Sequence, residues 1–364
     1  MPFSFAASFL FLTVVGLVLL DSVIARPFEG PQIIQISGAS TNVVSITSDP
    51  PSGCFPELGF AMPSSVPSSL EDWWCSTDSE YGFVGFSYEV TSCQSAEKLK
   101  EEFLDIRQTF NGRYVRLYGA CDRVGFYDDV IDAAWEAGVG VYALVWFGFD
   151  NDDKWMTRRD TLLATLHSNP KAQFVTRAVQ FGSEPLFDSV LSPINLAAQI
   201  TSAKVNLSSL SIPVIISELA YGYQAHLKDG SMEVLDVIDF IGAHMLPFFS
   251  ANASQAKNAW PIVQTDIDWF VKSAPSKKIY LTQNGWPSTS YPGVMPNSRL
   301  AVSNVQNEQA YYTLLDENCE YFKSVPGGGI GWFAHIYSDY QEPGYGIYGN
   351  DGLLKFPFSP KTSC

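Results

Sequence analysis

The stretch Leu281-Thr282-Gln283-Asn284-Gly285-Trp286-Pro287-Ser288, LTQNGWPS, continues the apolar run KKIYL that begins at Lys277. An apolar run that gives way to Gly, Trp and Pro reads as a strand buried on both faces that opens into a loop. Seven further runs share this texture: YGFVGFSY from Tyr81, RYVRLYG from Arg113, VGVYALVWF from Val139, RAVQFGSE from Arg177, IPVIISE from Ile212, IDFIGAHM from Ile238 and GGIGWFAHIY from Gly328. Amphipathic helical patterns lie between several of them. SAEKLKEEFLDIRQTF opens on Ser95 and sets Leu99, Phe103 and Ile106 on one face. FYDDVIDAAWEAG closes on Gly138, a helix stop, and NEQAYYTLLDENCEYF from Asn307 forms a third. Eight buried strands alternating with helices predict an α/β fold, a (β/α)8 TIM barrel over residues 81–364. A doubly wound open sheet is the alternative, but no Gly-rich phosphate loop follows the first strand. The glycines of Pro326–Gly331 precede a strand and read as a connection.

The rest of the chain frames that barrel. Residues 1–25 read as a secretory signal, with an apolar region from Phe5 to Leu20 and a small residue, Ala25, at its end. An uncleaved membrane anchor is the competing reading. Residues 26–80 form a Ser/Pro-rich lead, flexible up to about residue 52, then an N-terminal extension with Trp73 and Trp74 packed on the body. Six cysteines in an exported chain predict three disulfides, and a bridge tying down the segment from Cys54 to Cys75 gives a disulfide-tethered N-terminal extension. Fifteen connectivities are possible, and the expectation is sequential pairing: Cys54–Cys75, Cys93–Cys121 and Cys319–Cys364. Their spacing fits no zinc site, and four histidines are too few to complete one. No metal or organic cofactor is implied. Asn206-Leu207-Ser208 and Asn252-Ala253-Ser254 are glycosylation patterns.

The net charge of −16 argues against nucleic acid, whose phosphates such a surface repels. No basic cluster suggests an anionic membrane surface, so after removal of the signal a soluble monomer is expected. Localisation is read as secreted, extracellular or cell wall.

A (β/α)8 barrel carries its chemistry at the C-terminal ends of its strands. There the fourth run presents Glu184 and the seventh presents Gln283, facing each other across three βα units. Two carboxyl groups can break a glycosidic bond, one protonating the leaving oxygen and the other attacking the anomeric carbon. Glu184 suits the first role; it equally fits a structural carboxylate paired with Arg116 or Arg177. Gln283 is an amide, a poor nucleophile without charge.

The motifs resemble those of glycoside hydrolase family 17, whose members cleave or rearrange β-1,3-glucans. FGSE at Phe181–Glu184 is similar to the family's VGNE, QNGWPS at Gln283–Ser288 to ETGWPS, and RLYG at Arg116–Gly119 to the second-strand motif. LPFF at Leu246–Phe249 is similar to HPFF, and GWFAHIYSD from Gly331 to the eighth-strand WFEAFDE. The resemblance implies a retaining hydrolase of cell-wall β-1,3-glucan, with Glu184 as acid/base and Gln283 at the nucleophile position. Three departures fall at the pocket: Ser183 stands for the family's Asn, Ala334 for its eighth-strand Glu, and Gln283 for its nucleophile Glu.

Three readings follow. In the first, a substitute carboxylate restores catalysis: Glu218 at the end of the fifth strand, then Asp339 or Glu342. Glu218 fits a structural partner of a barrel arginine as well. In the second, the protein is a catalytically silent β-glucan binder. Tyr88, Tyr118, Trp146, Tyr221, Tyr223, Trp286, Trp332 and Tyr337 then supply ring faces for sugars, with Trp286 the most exposed. Ser183 and His335 add hydroxyl contacts; His244 could do the same, though a buried histidine holding the barrel is the preferred reading for it. In the third, a 2-acetamido sugar supplies its own nucleophile and Gln283 orients it.

Overall fold

The structure, a computed structural model, describes residues 53–149 and 152–364. The signal reading and most of the Ser/Pro-rich lead lie outside the described residues. Eight parallel strands close into one barrel in chain order: β1 (Gly82–Glu89), β2 (Tyr114–Tyr118), β3 (Gly140–Leu144), β4 (Thr176–Ser183), β5 (Val214–Glu218), β6 (Ile241–Met245), β7 (Ile279–Asn284) and β8 (Ile330–Ala334). The ring shuts where Phe86 of β1 pairs with Ala334 of β8. Each of the eight apolar runs contributes one strand.

Ten α-helices are described: α1 (Ala96–Thr109), α2 (Phe126–Ala137), α3 (Lys154–Ser168), α4 (Ala172–Val175), α5 (Pro193–Leu207), α6 (Ala220–Ala225), α7 (Ser231–Val237), α8 (Trp260–Ser273), α9 (Val305–Glu317) and α10 (Cys319–Ser324). Ser95 caps α1 by accepting from the Lys98 N–H, and Leu99, Phe103 and Ile106 bury one stripe. Gly138 ends α2 in the left-handed region, at φ 69°, where an L side chain is disfavoured. The pattern from Asn307 was expected as one helix but is two. Asn318 leaves helical geometry, and its side-chain amide donates to the Leu314 carbonyl, 2.8 Å away.

Two core layers result. Strand residues facing outward pack against the helices. Inside the barrel, Val84, Tyr114, Tyr142, Ala178, Ile215, Tyr280 and Phe333 fill the interior. Below them buried Glu80 accepts from the hydroxyls of Tyr114 and Tyr280 and pairs with Arg177 at 3.1 Å. The N-terminal end of the barrel is thus plugged by aromatic rings and a compensated carboxylate. Access to the interior is left to the opposite mouth, where all eight strands end.

The three disulfides pair sequentially, as expected: Cys54–Cys75, Cys93–Cys121 and Cys319–Cys364. The first closes a loop within the N-terminal extension. Trp73 stacks on Phe55 and Trp135, and its indole N–H donates to the Phe174 carbonyl at 2.7 Å. Trp74 lies under the Arg177 guanidinium. No helix among the described residues is long and apolar enough to cross a membrane.

Candidate active site

Glu184 directly follows β4 and has φ +56°, in the left-handed region that costs a non-glycine residue roughly 1 kcal/mol or more. Its N–H donates to the Ser217 carbonyl of β5 at 2.7 Å, which holds the turn. The carboxyl is 22 % exposed, so it reaches the mouth.

One buried guanidinium organises the groups around it. Arg116 of β2 donates from Nε to Gln180 Oε1 at 2.7 Å, from Nη2 to Ser183 Oγ at 2.9 Å, and from Nη1 to Gln283 Oε1 at 3.4 Å. Its Nη2 also lies 3.2 Å from His244 Nε2. Arginine has no acceptor, so this contact requires a lone pair on His244 Nε2. The neutral ring then carries its proton on Nδ1 and donates it to Glu184 Oε1, 2.7 Å away. Burial, then the charges of Arg116 and His335, hold the His244 pKa well below its ordinary value, consistent with the neutral ring.

Burial raises the Glu184 carboxyl from 4.5 to about 7; Arg116 and His335 oppose the shift and the charge of Glu342 adds to it. With Oε1 engaged by His244, the proton of the acid form sits on Oε2. A carboxyl of this kind can act as a general acid near neutrality.

Gln283 lies near the end of β7, buried, so its amide and Glu184 share Arg116 as a neighbour. Ser183 Oγ joins the same network. Tyr118, the last residue of β2, sits beneath the Arg116 guanidinium and meets Trp146 and His335 edge-on. Tyr221, in α6 after β5, is 62 % exposed and packs edge-on against Phe187, itself 39 % exposed, in the loop that follows β4.

Several expectations are corrected. Glu218 is fully buried and accepts from the N–H groups of Leu186, Phe187 and Leu219 at 2.7, 3.2 and 2.8 Å. It ties down the loop behind Glu184 and offers no face to a substrate. Burial, then the charge of Glu184, raises its pKa well above the carboxylate range. Trp286, expected to be exposed, is fully buried against Phe248, with its indole N–H on the Val302 carbonyl. Trp332 is packed between Phe83 and Tyr312. Tyr88 is buried with its hydroxyl on Glu102, and Tyr223 is buried too. None of these four rings can stack on a sugar. Tyr337 spends its hydroxyl on Asp105. Asp339 accepts from the N–H groups of Gly344 and Gly346 and from Lys355, so it shapes its loop. His335 is buried, with Nε2 2.9 Å from Glu342 Oε2.

Sequence reasoning missed one member of the network: Gln180 is the one polar side chain within AVQF, and a polar residue in a strand buried on both faces was the available signal. His244, which the sequence offers either to the pocket or to the barrel wall, is both fully buried and turned toward Glu184.

A closed parallel barrel whose mouth holds a carboxyl of raised pKa, oriented by histidine and flanked by a buried arginine, has the architecture of the barrel glycoside hydrolases. The model of the BtgE/BtgC glycoside hydrolase domain matches residues 85–346, and the chain belongs to that family. Among curated protein sequences none matches this chain. Among solved structures, a glycoside hydrolase family 17 β-1,3-glucanosyltransferase from Rhizomucor miehei is similar at 20 % identity, covering 77 % of this chain and 96 % of the other, with a TM-score of 0.59. An active-site mutant of the Rhizomucor miehei β-1,3-glucanosyltransferase in complex with laminaritriose is 19 % identical, covers 78 % and 99 % of the two chains, and has a TM-score of 0.61. A calcium-binding mutant of Bacteroides uniformis β-glucuronidase 2 is 11 % identical, covering 76 % of this chain and 33 % of that one, with a TM-score of 0.53. At these identities the likeness is one of fold.

Proposed function

We propose that this protein is an exported glycosidase that acts on β-1,3-glucan of cell walls, with Glu184 as its acid. The observation that carries the reading is Glu184 itself. It is a partly exposed carboxyl with a pKa near 7, oriented through Oε1 by His244, at the open end of a glycoside hydrolase barrel. The β-1,3-glucan substrate is supported by the shared fold with a β-1,3-glucanosyltransferase and by the RLYG and GWPS motifs. The exposed rings of Tyr221 and Phe187, beside the acid, suit the apolar faces of glucose units. Three disulfides are compatible with export.

The chemistry begins with proton donation. Glu184 Oε2 gives its proton to the glycosidic oxygen while His244 Nδ1–H stabilises the carboxylate that forms. Gln283 cannot form the glycosyl ester that a carboxylate would, so the family's covalent route is closed at β7. That amide supports a second reading, a β-glucan-binding protein without turnover. The two are separated by incubating the full chain with laminari-oligosaccharides, following new reducing ends, and measuring binding in parallel. Release of reducing ends is the expected result; saturable binding with none would favour the silent protein.

A further inference from the structure

We propose that Glu342 is the second catalytic carboxylate, acting as the base that activates water for a direct, inverting attack. This rests on the glycosidase reading above and replaces the covalent route that Gln283 closes.

Glu342 sits in the loop that follows β8, next to β7 in the barrel. Its position there is fixed. Its carbonyl accepts from the Tyr345 N–H, and Ile336 and Tyr345 exchange a further main-chain bond at 2.8 Å. Asp339 pins the same loop through the Gly344 and Gly346 N–H groups and Lys355. The Glu342 side chain is 22 % exposed, as is that of Glu184.

A chain of contacts joins Glu342 to the site. Its Oε2 lies 2.9 Å from His335 Nε2. The His335 ring meets the Tyr118 ring edge-on at 5.8 Å, and Tyr118 lies under Arg116, which holds Gln283 and Ser183. The charge of Glu342 also adds to the raised pKa of Glu184. The Glu342 carboxylate can only accept, so His335 donates to it from Nε2, and His335 Nδ1 has no partner among the described residues. Among the described residues only Oε2 of Glu342 has a hydrogen-bond partner, and Oε1 is left to accept from water.

An inverting pair needs space for a water between base and sugar, about 6.5–9.5 Å between the carboxyls, where a retaining pair stands at about 5–5.5 Å. With an uncharged amide at the β7 nucleophile position, the proposal takes the wider arrangement, with Glu342 on the β8 loop as the base. Water gives one proton to Glu342 Oε1, and its oxygen bonds to the anomeric carbon from the α face. The C1–O glycosidic bond breaks, and the leaving oxygen takes the proton from Glu184 Oε2. A β-linked substrate yields an α-configured reducing end. Solvent then takes the proton from Glu342 and reprotonates Glu184.

The test is proton NMR of laminaritriose hydrolysis by the full chain, read before mutarotation. It is paired with turnover and laminaritriose binding of Glu342→Gln, whose thermal unfolding is checked. The α-anomer appearing first, and a loss of turnover of at least about 100-fold in Glu342→Gln with binding retained, support the proposal. The β-anomer appearing first overturns it whatever the variant does. Turnover in Glu342→Gln within about threefold of the parent overturns it while leaving the glycosidase reading intact. Binding of laminaritriose without turnover by the parent protein overturns both.

Discussion

His244 donates through Nδ1 to Oε1 of Glu184, 2.7 Å away, in the tautomer that Arg116 fixes by donating to its other ring nitrogen. One arginine on β2 thereby directs the proton of the Glu184 carboxyl to its other oxygen. It does so through a residue on β6 that touches both. Arg116, His244 and Glu184 form a single orienting unit, and the first prediction tests it.

Replacing His244 with Ala removes the donor that favours the Glu184 carboxylate. Loss of a hydrogen bond to the charged form raises a carboxyl pKa, so the alkaline limb of the pH–rate profile should move upward from near 7. Turnover at the optimum should fall roughly 10- to 100-fold as the acid loses its orientation. A pH–rate profile of the variant against the parent checks both. A fall in rate with an unmoved limb would make His244 merely structural.

Stability should carry the same signature. The folded Glu184 pKa is raised from 4.5 to about 7, so folding takes up protons between those values. The stabilisation is complete below 4.5 and is lost as pH rises through 7. Glu184→Gln removes this dependence and keeps an oxygen for His244. It should be more stable than the parent at pH 8 by roughly 1–3 kcal/mol, the range allowing for partial solvation of the group. Urea unfolding at pH 5 and pH 8 measures the difference.

Gln283→Glu places a carboxylate beside Arg116 Nη1, which already lies 3.4 Å from the amide oxygen. This should open the covalent route and give a β-configured first product. The new anion should also raise the Glu184 pKa further. The anomer of the first product, read by NMR, and the pH–rate profile report on each part.

Glu218→Gln should destabilise the protein by about 1–3 kcal/mol, because an NH2 group replaces one of the two oxygens that now accept from main-chain N–H groups. Activity should fall through displacement of the loop behind Glu184, and azide should not restore it. Rescue by azide would mean that Glu218 acts on the substrate.

The buried and exposed rings should separate cleanly. Trp286→Ala empties a core site and should cost about 3–5 kcal/mol of stability. Tyr221→Ala should leave unfolding nearly unchanged and weaken laminaritriose binding by roughly tenfold, the effect expected for loss of one stacked ring. Calorimetric binding and thermal melts on both variants provide the contrast.

The barrel was legible because its signal is local. Strands covered by helices outside and side chains inside read as unbroken apolar runs, and eight of them fit only a few architectures. The positions of Glu184 and Gln283 followed from the rule that sites lie at strand ends. Orientation was not legible. Trp286 follows Asn-Gly in a loop, yet its ring turns inward because Phe248 and the Val302 carbonyl give it a complete environment. Glu218 stands at a strand end, but two of the three N–H groups it caps, those of Leu186 and Phe187, belong to a loop 32 and 31 residues earlier. Arg116 and His244 are 128 residues apart, and no local pattern pairs them.

The central claim is that Glu184 supplies the proton that breaks a β-1,3-glucosidic bond, and Glu184→Gln tests it most directly. With laminaritriose as substrate, the account predicts that the variant loses turnover by at least about 100-fold while binding the sugar as the parent does. Undiminished release of reducing ends by Glu184→Gln would contradict it.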